Sequence, residues 1–359
     1  MQTRLVRLVV IGGDYWPSCC FKVCDKVMDT ARMSRKSVHA PRCTLGLSGI
    51  GFLVVHYFLQ TSWQKEDRCM SDYLIRATGY NGHVRAFAAR TTGIVEEMRR
   101  RHDMWNTATA AAGRTLTVTL MMGAMLKGDE RLSVKVKGGG PIGQIIAEAN
   151  AHGEGIAYVT NPHVHFELND KGKLDVARAV GTDGFLYVVK DLGMKEPYRG
   201  SSPIVSGEIG EDFTYYFVTS EQTPSAVGVG VLVNPEDRSV LAAGGFILQL
   251  LPGTPDEVVS RIEERLGQLP QVSRMIGEGL TPEQILERVL DEPKILSRTD
   301  IQFRCICSPE KVSQALVSLG KEEMTALIEE KGEAEVHCHF CNERYHYDKA
   351  ALEEIMQEM

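Results

Sequence analysis

The chain has 359 residues, a formal net charge of −7, 43% hydrophobic residues and 24% charged residues. This composition excludes collagen-like, coiled-coil and disordered chains, and the length suits two or three domains of ordinary size. The negative charge also disfavours a protein that binds nucleic acid without regard to sequence.

Residues 1–69 differ from the rest of the chain in charge and in cysteine content. They carry ten Lys and Arg against five Asp and Glu, and they hold five of the nine cysteines. An apolar run at 45–59 has the composition of a signal h-region or a short membrane anchor. The run is short for a helix that spans a bilayer.

A second interpretation starts from Met70, which opens the sequence MSDYLIRATG. Lys65, Glu66 and Asp67 precede it, and their codons can spell a purine-rich ribosome-binding tract at a suitable spacing. We favour the hypothesis that translation starts at Met70 and that residues 1–69 are a non-native upstream extension read in frame. They are therefore excluded from the fold prediction.

The body of the protein, residues 70–250, has the pattern of an α+β domain with mostly antiparallel strands. Apolar residues at helical spacing predict helices over 83–102 and 107–126. Strict alternation over 132–137 predicts a strand with one solvated face. Further strands are predicted at 142–150, 155–159, 184–190, 204–207 and 227–233.

Three features of the body have a functional alternative. The GGGPIG stretch at 138–143 lacks the Lys-Ser/Thr of a phosphate-binding loop and is expected to be a hairpin connection. His163, His165 and Glu167 share one strand face and could bind a metal, but the surrounding sequence favours a solvated edge hairpin. The polar loop 220–225 shows no base beside a nucleophile and is expected to be a turn.

Residues 251–304 are predicted to form a helical linker. Thr-Pro-acid signatures at 254–257 and 281–284 mark two helix starts, each with a Thr cap. Short amphipathic helices are only marginally stable in isolation and need another surface to pack against. They are either a plain helical subdomain or a segment that detaches and exposes its apolar side chains. In the second case the exposed apolar stripe would consist of Val258, Ile262, Leu266, Leu286 and Val289.

Four cysteines in two close pairs dominate residues 305–359: Cys305-x-Cys307 and Cys338-x-x-Cys341. Four thiolates are the ligand set of a tetrahedral zinc site, so we expect one Zn²⁺ per chain. Helices are predicted at 308–319, 322–331 and 348–359, and strands at 333–337 and 344–347. A core of about 55 residues is small, and a metal would contribute folding free energy.

The four cysteines could form a zinc site that oxidation switches off. Two alternatives remain open: a permanent disulfide framework, and a zinc site with a purely structural role. The run at 45–59 is a poor signal peptide, which disfavours the disulfide framework. A bond within the C-x-C pair would close a strained, easily reduced ring, and zinc-bound thiolates are the form that peroxide or hypochlorite attacks. His337, His339 and His346 are close enough to compete as ligands, but four cysteines are the simpler set.

From Met70 to the C-terminus the sequence resembles the Hsp33 family, the redox-regulated 33 kDa chaperonins. The stretches that carry the resemblance are RAFAARTT (85–92), VSGE (205–208), SEQTPS (220–225), AAGG (242–245), QLLP (249–252) and the two cysteine motifs. The resemblance implies an α+β N-terminal domain, a helical linker and a small C-terminal zinc-binding domain.

The resemblance also implies a mechanism. The reduced, zinc-bound chain would be inactive, and oxidation would form Cys305–Cys307 and Cys338–Cys341 disulfides, release zinc and expose a surface for unfolded client proteins. It implies a cytoplasmic, ATP-independent holdase that is not an enzyme, that dimerises when oxidised, and that binds neither nucleic acid nor membranes.

Two other function classes fit parts of the sequence. One is a zinc-containing nucleic-acid-binding or regulatory module, although residues 70–359 carry 30 Lys and Arg against 42 Asp and Glu. The other is an enzyme built on the body with a structural zinc, although the sequence shows no pairing of nucleophile and base.

Overall fold

The structure is a computed structural model that describes residues 71–169 and 172–357. The two hypotheses for residues 1–69, a membrane anchor and a non-native upstream extension, lie outside this range. The described residues form thirteen strands in three sheets and ten α-helices, so the predicted α+β class is confirmed.

Five strands form an antiparallel sheet: β1 (Tyr73–Gly79), β2 (Val84–Arg90), β8 (Ser225–Val233), β9 (Val240–Leu250) and β10 (Lys294–Asp300). Their order is β10-β1-β2-β9-β8. The central strand β2 is buried on both faces, with Ala86 and Ala88 in one hydrophobic core and Phe87 and Ala89 in another. This sheet therefore separates two cores.

Six strands form the second sheet: β3 (Arg131–Lys137), β4 (Ile145–Asn150), β5 (Glu154–Val159), β6 (Phe185–Asp191), β7 (Tyr198–Pro203) and β11 (Gln302–Phe303). Their order is β11-β5-β4-β3-β6-β7, and only β11 and β5 run parallel. β3 alternates as predicted, with Leu132, Val134 and Val136 buried and Lys135 and Lys137 exposed.

Four helices complete the larger core: α1 (Thr92–His102), α2 (Asn106–Gly123), α3 (Val176–Val180) and α4 (Ile209–Thr219). Helix α2 contacts strands of both sheets, and all its residues except Arg114 are buried. Three of its buried threonines, Thr115, Thr117 and Thr119, donate to the carbonyl one turn back, as Thr117 Oγ1 does to Gly113 O at 2.8 Å. A helix rich in Ala, Thr and Leu can therefore be buried all round without losing hydrogen bonds.

The second core lies on the opposite face of the five-stranded sheet. Three helices cover that face: α5 (Asp256–Gln268), α6 (Val272–Gly277) and α7 (Pro282–Val289). The capping box predicted at α7 is present, because Thr281 and Gln284 exchange hydrogen bonds. The cap predicted at α5 is wrong, because Thr254 Oγ1 donates instead to His83 O at 2.9 Å.

A third, small core lies in residues 308–357. Its elements follow the prediction closely: α8 (Pro309–Val317), α9 (Lys321–Glu330), β12 (Glu333–His337), β13 (Arg344–Asp348) and α10 (Lys349–Gln357). Seven buried hydrophobic residues form this core: Val312, Leu316, Met324, Ile328, Tyr347, Leu352 and Ile355.

The predicted helix over 83–102 is wrong in its first half, where β2 precedes α1. A central strand that is buried on both faces has an almost continuous apolar sequence, and periodicity alone does not distinguish it from a helix. The predicted strand at 204–207 is a loop, and the nearby strand is β7 instead. Gly200 and two serines in β7 give it little strand propensity.

The predicted helical linker is not helical after Val289, and its last part contains β10 and β11 instead. β10 pairs with β1 along its length, although most of its residues are exposed. The backbone hydrogen bonds to β1, and not an alternation of apolar residues, therefore define this strand. The described residues of the edge hairpin predicted at 161–172 form no strand, and an isolated bridge joins Leu168 to Leu174. Within the described part of the chain, no helix has the length and apolarity to cross a membrane.

Candidate metal centre

The four cysteines of the C-terminal motifs come from two segments that meet beside the third sheet, in which β12 and β13 pair antiparallel. Cys338 and Cys341 flank the turn between β12 and β13, where Asn342 N donates to Cys338 O at 2.8 Å. Asn342 has the left-handed φ of 56°, which asparagine tolerates. Cys305 and Cys307 lie two residues apart in the segment between β11 and α8, and the Sγ atoms of both reach the same group.

The four sulfur atoms form one group. All lie within 4.8 Å of one another. The Sγ atoms of Cys305 and Cys338 are 3.7 Å apart, and those of Cys307 and Cys341 are 3.3 Å apart. Four thiolates around a tetrahedral metal with bonds of about 2.3 Å would lie about 3.8 Å apart. The donor set and its spacing therefore fit a tetrahedral metal ion.

Burial and hydrogen bonds make the four thiols unequal. Burial raises the pKa of Cys341 to about 11, and burial also raises the pKa of Cys305. Burial acts in the same direction on Cys307, but hydrogen bonds outweigh it and lower the pKa of that thiol. The first of these comes from Tyr345, whose hydroxyl donates to Cys307 Sγ at 3.1 Å. Tyr345 thus supports the thiolate form at one corner of the site.

The cysteine cluster stands alone among the described residues: no other set of three or more His, Cys, Asp or Glu brings its ligand atoms together. His163, His165 and Glu167 do not form a site, and His163 Nε2 contacts Asp103 at 3.2 Å instead. His339, one of the candidate competing ligands, stacks on Tyr158.

The turn that carries Cys338 and Cys341 rests on the body. We call residues 338–342 the knuckle, and we call Arg101, His102 and Tyr158 the seat. His102 Nε2 lies 2.9 Å from Phe340 O, and because a carbonyl only accepts, the imidazole nitrogen carries the proton. Burial lowers the pKa of His102.

Further contacts belong to this interface, among them an ion pair between Arg101 and Glu343 at 3.4 Å. Arg101 Nη1 donates to Cys341 O at 3.3 Å, and Asn342 Nδ2 donates back to Arg101 O at 2.7 Å. The ring of Phe340 meets the ring of Tyr158 edge-on, with centroids 5.0 Å apart. No sequence pattern points to the seat, because its residues are far from the cysteines along the chain.

The proposed client-binding residues are all covered in this structure. Ile262, Leu266, Leu286 and Val289 are buried in the second core, and Val258 packs at its margin. Two tyrosine hydroxyls also form hydrogen bonds with α7 in this core.

Tyr73 Oη donates to Glu283 Oε2 at 2.7 Å, and Tyr80 Oη donates to Val289 O at 3.2 Å. The structure thus brings the five residues together in the second core, which contains none of the four cysteines.

The glycine-rich loop at 138–143 and the polar loop at 220–225 use polar groups in contacts within the protein. In 138–143 backbone amides donate hydrogen bonds within the protein. Gly140 N, for example, donates to Val180 O at 2.9 Å. In 220–225 Glu221 forms an ion pair with Lys190. Both stretches are packed connections, as the sequence predicts.

Known proteins match most of this chain. The family model described as Hsp33 protein matches residues 72–348. A 33 kDa chaperonin of Brevibacillus brevis is 85% identical over 290 residues, which are 81% of this chain and 100% of that protein. A 33 kDa chaperonin of Bacillus subtilis is 60% identical over 283 residues, covering 79% of this chain and 97% of that protein.

A crystal structure of the 33 kDa chaperonin from Thermotoga maritima is similar to this structure, with a TM-score of 0.75 and 38% sequence identity. The match covers 80% of this chain and 98% of that chain. The family model matches well over half of the sequence, and the relatives are matched over nearly their whole length. The chain belongs to the Hsp33 family.

Proposed function

We propose that this chain is a redox-regulated, ATP-independent holdase whose reduced, zinc-loaded form is inactive and whose oxidised form binds unfolding proteins. The observation that carries the proposal is the meeting of four thiols, within 4.8 Å of one another, in a module with only seven buried hydrophobic residues of its own. Hsp33 proteins are non-enzymatic chaperones, so at the coarser level the chain is a chaperone that binds client proteins and is not an enzyme.

The metal proposed for the site is one Zn²⁺ per chain, held by Cys305, Cys307, Cys338 and Cys341. An all-thiolate tetrahedral donor set suits zinc and excludes the oxygen-seeking ions Ca²⁺ and Mg²⁺. When bound, zinc would keep the four sulfurs as thiolates and contribute folding free energy to residues 305–357. A core as small as this one needs such a contribution.

Oxidation would form the Cys305–Cys307 and Cys338–Cys341 disulfides. For each bond, two thiolates give up two electrons, and one hydrogen peroxide takes them up with two protons and leaves as two waters. Sulfur contacts within 4.8 Å allow either pair to react without large movements of the chain. Once the thiolates are consumed, the site has no ligands for the metal, and its contribution to folding is lost.

Loss of order would then spread from the module to the neighbouring helices. α5, α6 and α7 are short and rely on packing against the five-stranded sheet. Their release would expose apolar side chains to clients: Val258, Ile262, Leu266, Leu286 and Val289.

The proposal extends to partners and location. Clients would be unfolded or misfolding proteins, and the oxidised chain would form a homodimer. Four free thiols close together persist in a reducing compartment, which supports a cytoplasmic location. The excess of acidic residues over 70–359 argues against nucleic acid as a partner.

An aggregation assay tests the proposal. Chemically unfolded citrate synthase is diluted into buffer with the reduced zinc-loaded chain, the peroxide-oxidised chain, or the oxidised chain after reduction with zinc present, and light scattering is followed. Only the oxidised form should suppress scattering. Equal suppression by the reduced form, or none by the oxidised form, would contradict the proposal. A variant with all four cysteines changed to serine serves as the control that peroxide acts through this site.

A further inference from the structure

Two tyrosine hydroxyls of β13 reach the segment that begins with the first cysteine pair. Tyr345 and Tyr347 lie two residues apart in the strand, so their side chains leave it on the same face. Tyr345 Oη donates to Cys307 Sγ at 3.1 Å, and Tyr347 Oη donates to Pro309 O at 3.1 Å. The two hydroxyls thus contact residues close together in the chain, but one acceptor is a sulfur atom and the other is a carbonyl oxygen.

Strand pairing and packing hold the ring of Tyr345 in place. Tyr345 is the partner of Val336 in the ladder between β12 and β13, and both side chains pack against the third core. The direction of the hydroxyl therefore follows from the fold of the module and not from its contact with the sulfur. A donor fixed in this way acts on one metal ligand of the four.

Burial protects the four sulfurs unequally. Cys341 is 3% exposed, whereas Cys305, Cys307 and Cys338 are each partly exposed. An oxidant or an alkylating agent must reach a sulfur to react with it, so burial protects Cys341 and leaves the other three open. At Cys307, the hydroxyl of Tyr345 contacts the open sulfur directly.

A hydrogen bond to a metal-bound thiolate changes its reactivity in a defined direction. With zinc bound, all four sulfurs are thiolates, so the bond cannot raise the thiolate fraction of Cys307. It instead engages a lone pair and draws charge from the sulfur, and a thiolate with less charge is a weaker nucleophile. The Tyr345 hydroxyl should therefore slow the attack of Cys307 on an electrophile.

We propose that Tyr345 is a positioning residue whose hydrogen bond slows the oxidation of Cys307, and that it thereby sets how much oxidant the site tolerates before the metal is lost. The inference rests on the proposed function, in which hydrogen peroxide oxidises the thiolates. In the slowed step, the Cys307 sulfur supplies an electron pair to one oxygen of the peroxide. An S–O bond forms, the O–O bond breaks, and hydroxide leaves and takes up a proton to become water. The Cys305 thiolate then attacks the oxidised sulfur, the S–S bond forms, and a second hydroxide leaves and is protonated in the same way.

Two matched variants test the hydroxyl alone. Tyr345→Phe removes the donor to Cys307 and keeps the ring that packs against the third core. Tyr347→Phe is the matched control, because it removes a hydroxyl from the same face of the same strand, and the acceptor of that hydroxyl is Pro309 O. One zinc per chain and an unchanged circular dichroism spectrum verify that each variant folds.

Reactivity is measured on the reduced, zinc-loaded full chain. Iodoacetamide alkylates one sulfur at a time, and fragmentation of the peptides by mass spectrometry gives the initial rate at each cysteine. Cys307 should react about tenfold faster in Tyr345→Phe than in the wild type, the lower end of the effect of removing an outer partner of a metal ligand. The other three cysteines should react as in the wild type, and Tyr347→Phe should change none of the four rates. Zinc release after addition of hydrogen peroxide, followed with a colorimetric chelator, should also be faster in Tyr345→Phe alone.

Cobalt substitution reports the hydrogen bond itself. Co²⁺ accepts the same tetrahedral thiolate ligands and shows a charge-transfer band from sulfur to metal. A sulfur that loses a donor gives up an electron more readily, so the band should move to longer wavelength in Tyr345→Phe and stay in place in Tyr347→Phe. A merely structural role of Tyr345 would leave the band unmoved, because the ring is retained.

The failures are distinguishable. If peroxide releases no zinc from the wild-type chain, the proposed function falls and the role of Tyr345 falls with it. If the wild type releases zinc and Cys307 of Tyr345→Phe reacts at the wild-type rate, the role of Tyr345 alone is overturned. Equal acceleration in Tyr345→Phe and Tyr347→Phe, or a Tyr345→Phe chain that cannot be loaded with zinc, would show that the hydroxyls only hold the module together. Faster alkylation of Cys307 with unchanged zinc release would show that this sulfur does not set the tolerance to oxidant, and the proposal would be wrong.

Discussion

Asp212 is a fully buried acid in α4 and is not part of the cysteine cluster. Its Oδ1 accepts hydrogen bonds from the backbone of Val205 and Ser206, at 2.9 and 3.0 Å, while the buried Oδ2 has no partner among the described residues. Burial raises the pKa of Asp212 to about 6 from an ordinary 3.8, against the effect of the backbone bonds. An oxygen without a partner suits the protonated acid.

The raised pKa predicts a pH dependence of stability. The folded state holds the proton more tightly than the unfolded state, so this group's stabilising contribution is complete below about pH 4 and is lost as the pH rises through 6. The whole change is at most about 3 kcal/mol. Asp212→Asn cannot ionise, so its free energy of unfolding relative to the wild type should be higher at pH 7.5 than at pH 4.5. Urea denaturation at both pH values measures this, and an equal difference at the two would contradict it.

The metal site offers a test with a matched control. Cys338→Ser should lose zinc to a chelator much faster than the wild type, because a hydroxyl is a far weaker ligand than a thiolate. His337 is the adjacent residue and pairs with Glu335 rather than with the sulfurs. His337→Ala should therefore retain one zinc per chain. Colorimetric zinc release after chelator addition gives both rates, and full retention by Cys338→Ser would contradict the assignment.

At the level of elements, the helices of the linker and of the C-terminal module are predictable because their signals are local. Caps at Thr281 and Ser308, and amphipathic stripes between them, depend only on neighbouring residues. β2 and β10 are not predictable in this way. β2 is buried on both faces and β10 is mostly exposed, so each is defined by its partner strands.

The same distinction holds for the candidate site. The grouping of Cys305, Cys307, Cys338 and Cys341 can be predicted from their spacing, because four thiolates are a specific ligand set. The seat cannot be assigned, because Arg101 contacts Cys341 across 240 residues of sequence through ordinary polar groups. Arginine, histidine and tyrosine are common on protein surfaces, and only folding shows which of them meet the knuckle.

The docking of α5 on the five-stranded sheet can be tested at one buried residue. Ile262 is 5% exposed in the second core, so Ile262→Asp would place an unpaired charge in an apolar contact and cost a few kcal/mol. α5 to α7 should lose hydrogen-exchange protection in the reduced, zinc-loaded protein, while 305–357 keeps it, and client binding should rise. Ser260 lies on the exposed face of the same helix, and Ser260→Asp should change neither.

Hydrogen exchange also distinguishes a loss of α5 docking from damage to the client-binding surface, because a measurement of client binding alone would respond to both. Unchanged protection of α5 to α7 in Ile262→Asp and after oxidation would show that the switch does not pass through these helices.

Across the whole molecule, one short segment connects the metal centre to both sheets. β10 pairs with β1 of the five-stranded sheet, and β11 pairs with β5 of the six-stranded sheet. Arg304, directly before Cys305, forms an ion pair with Glu154 in β5. Since β11 has only two residues, its pairing is weak on its own and depends on the order of the cysteine segment next to it.

Metal removal without oxidation should therefore act in a defined spatial order. With a zinc chelator and a thiol reductant present, hydrogen-exchange protection should fall first in β12, β13 and α8 to α10, because the third core is small. It should fall next in β11 and then in β10, which are joined directly to the metal site. α2, which is buried in the larger core, and β9, which is buried between that core and the second core, should keep their protection. Simultaneous loss in α2 would show that the three cores unfold as one unit. Retained protection in β12 and β13 would show that the metal does not support the module, and the proposed coupling between the cysteines and the client surface would then have no physical basis.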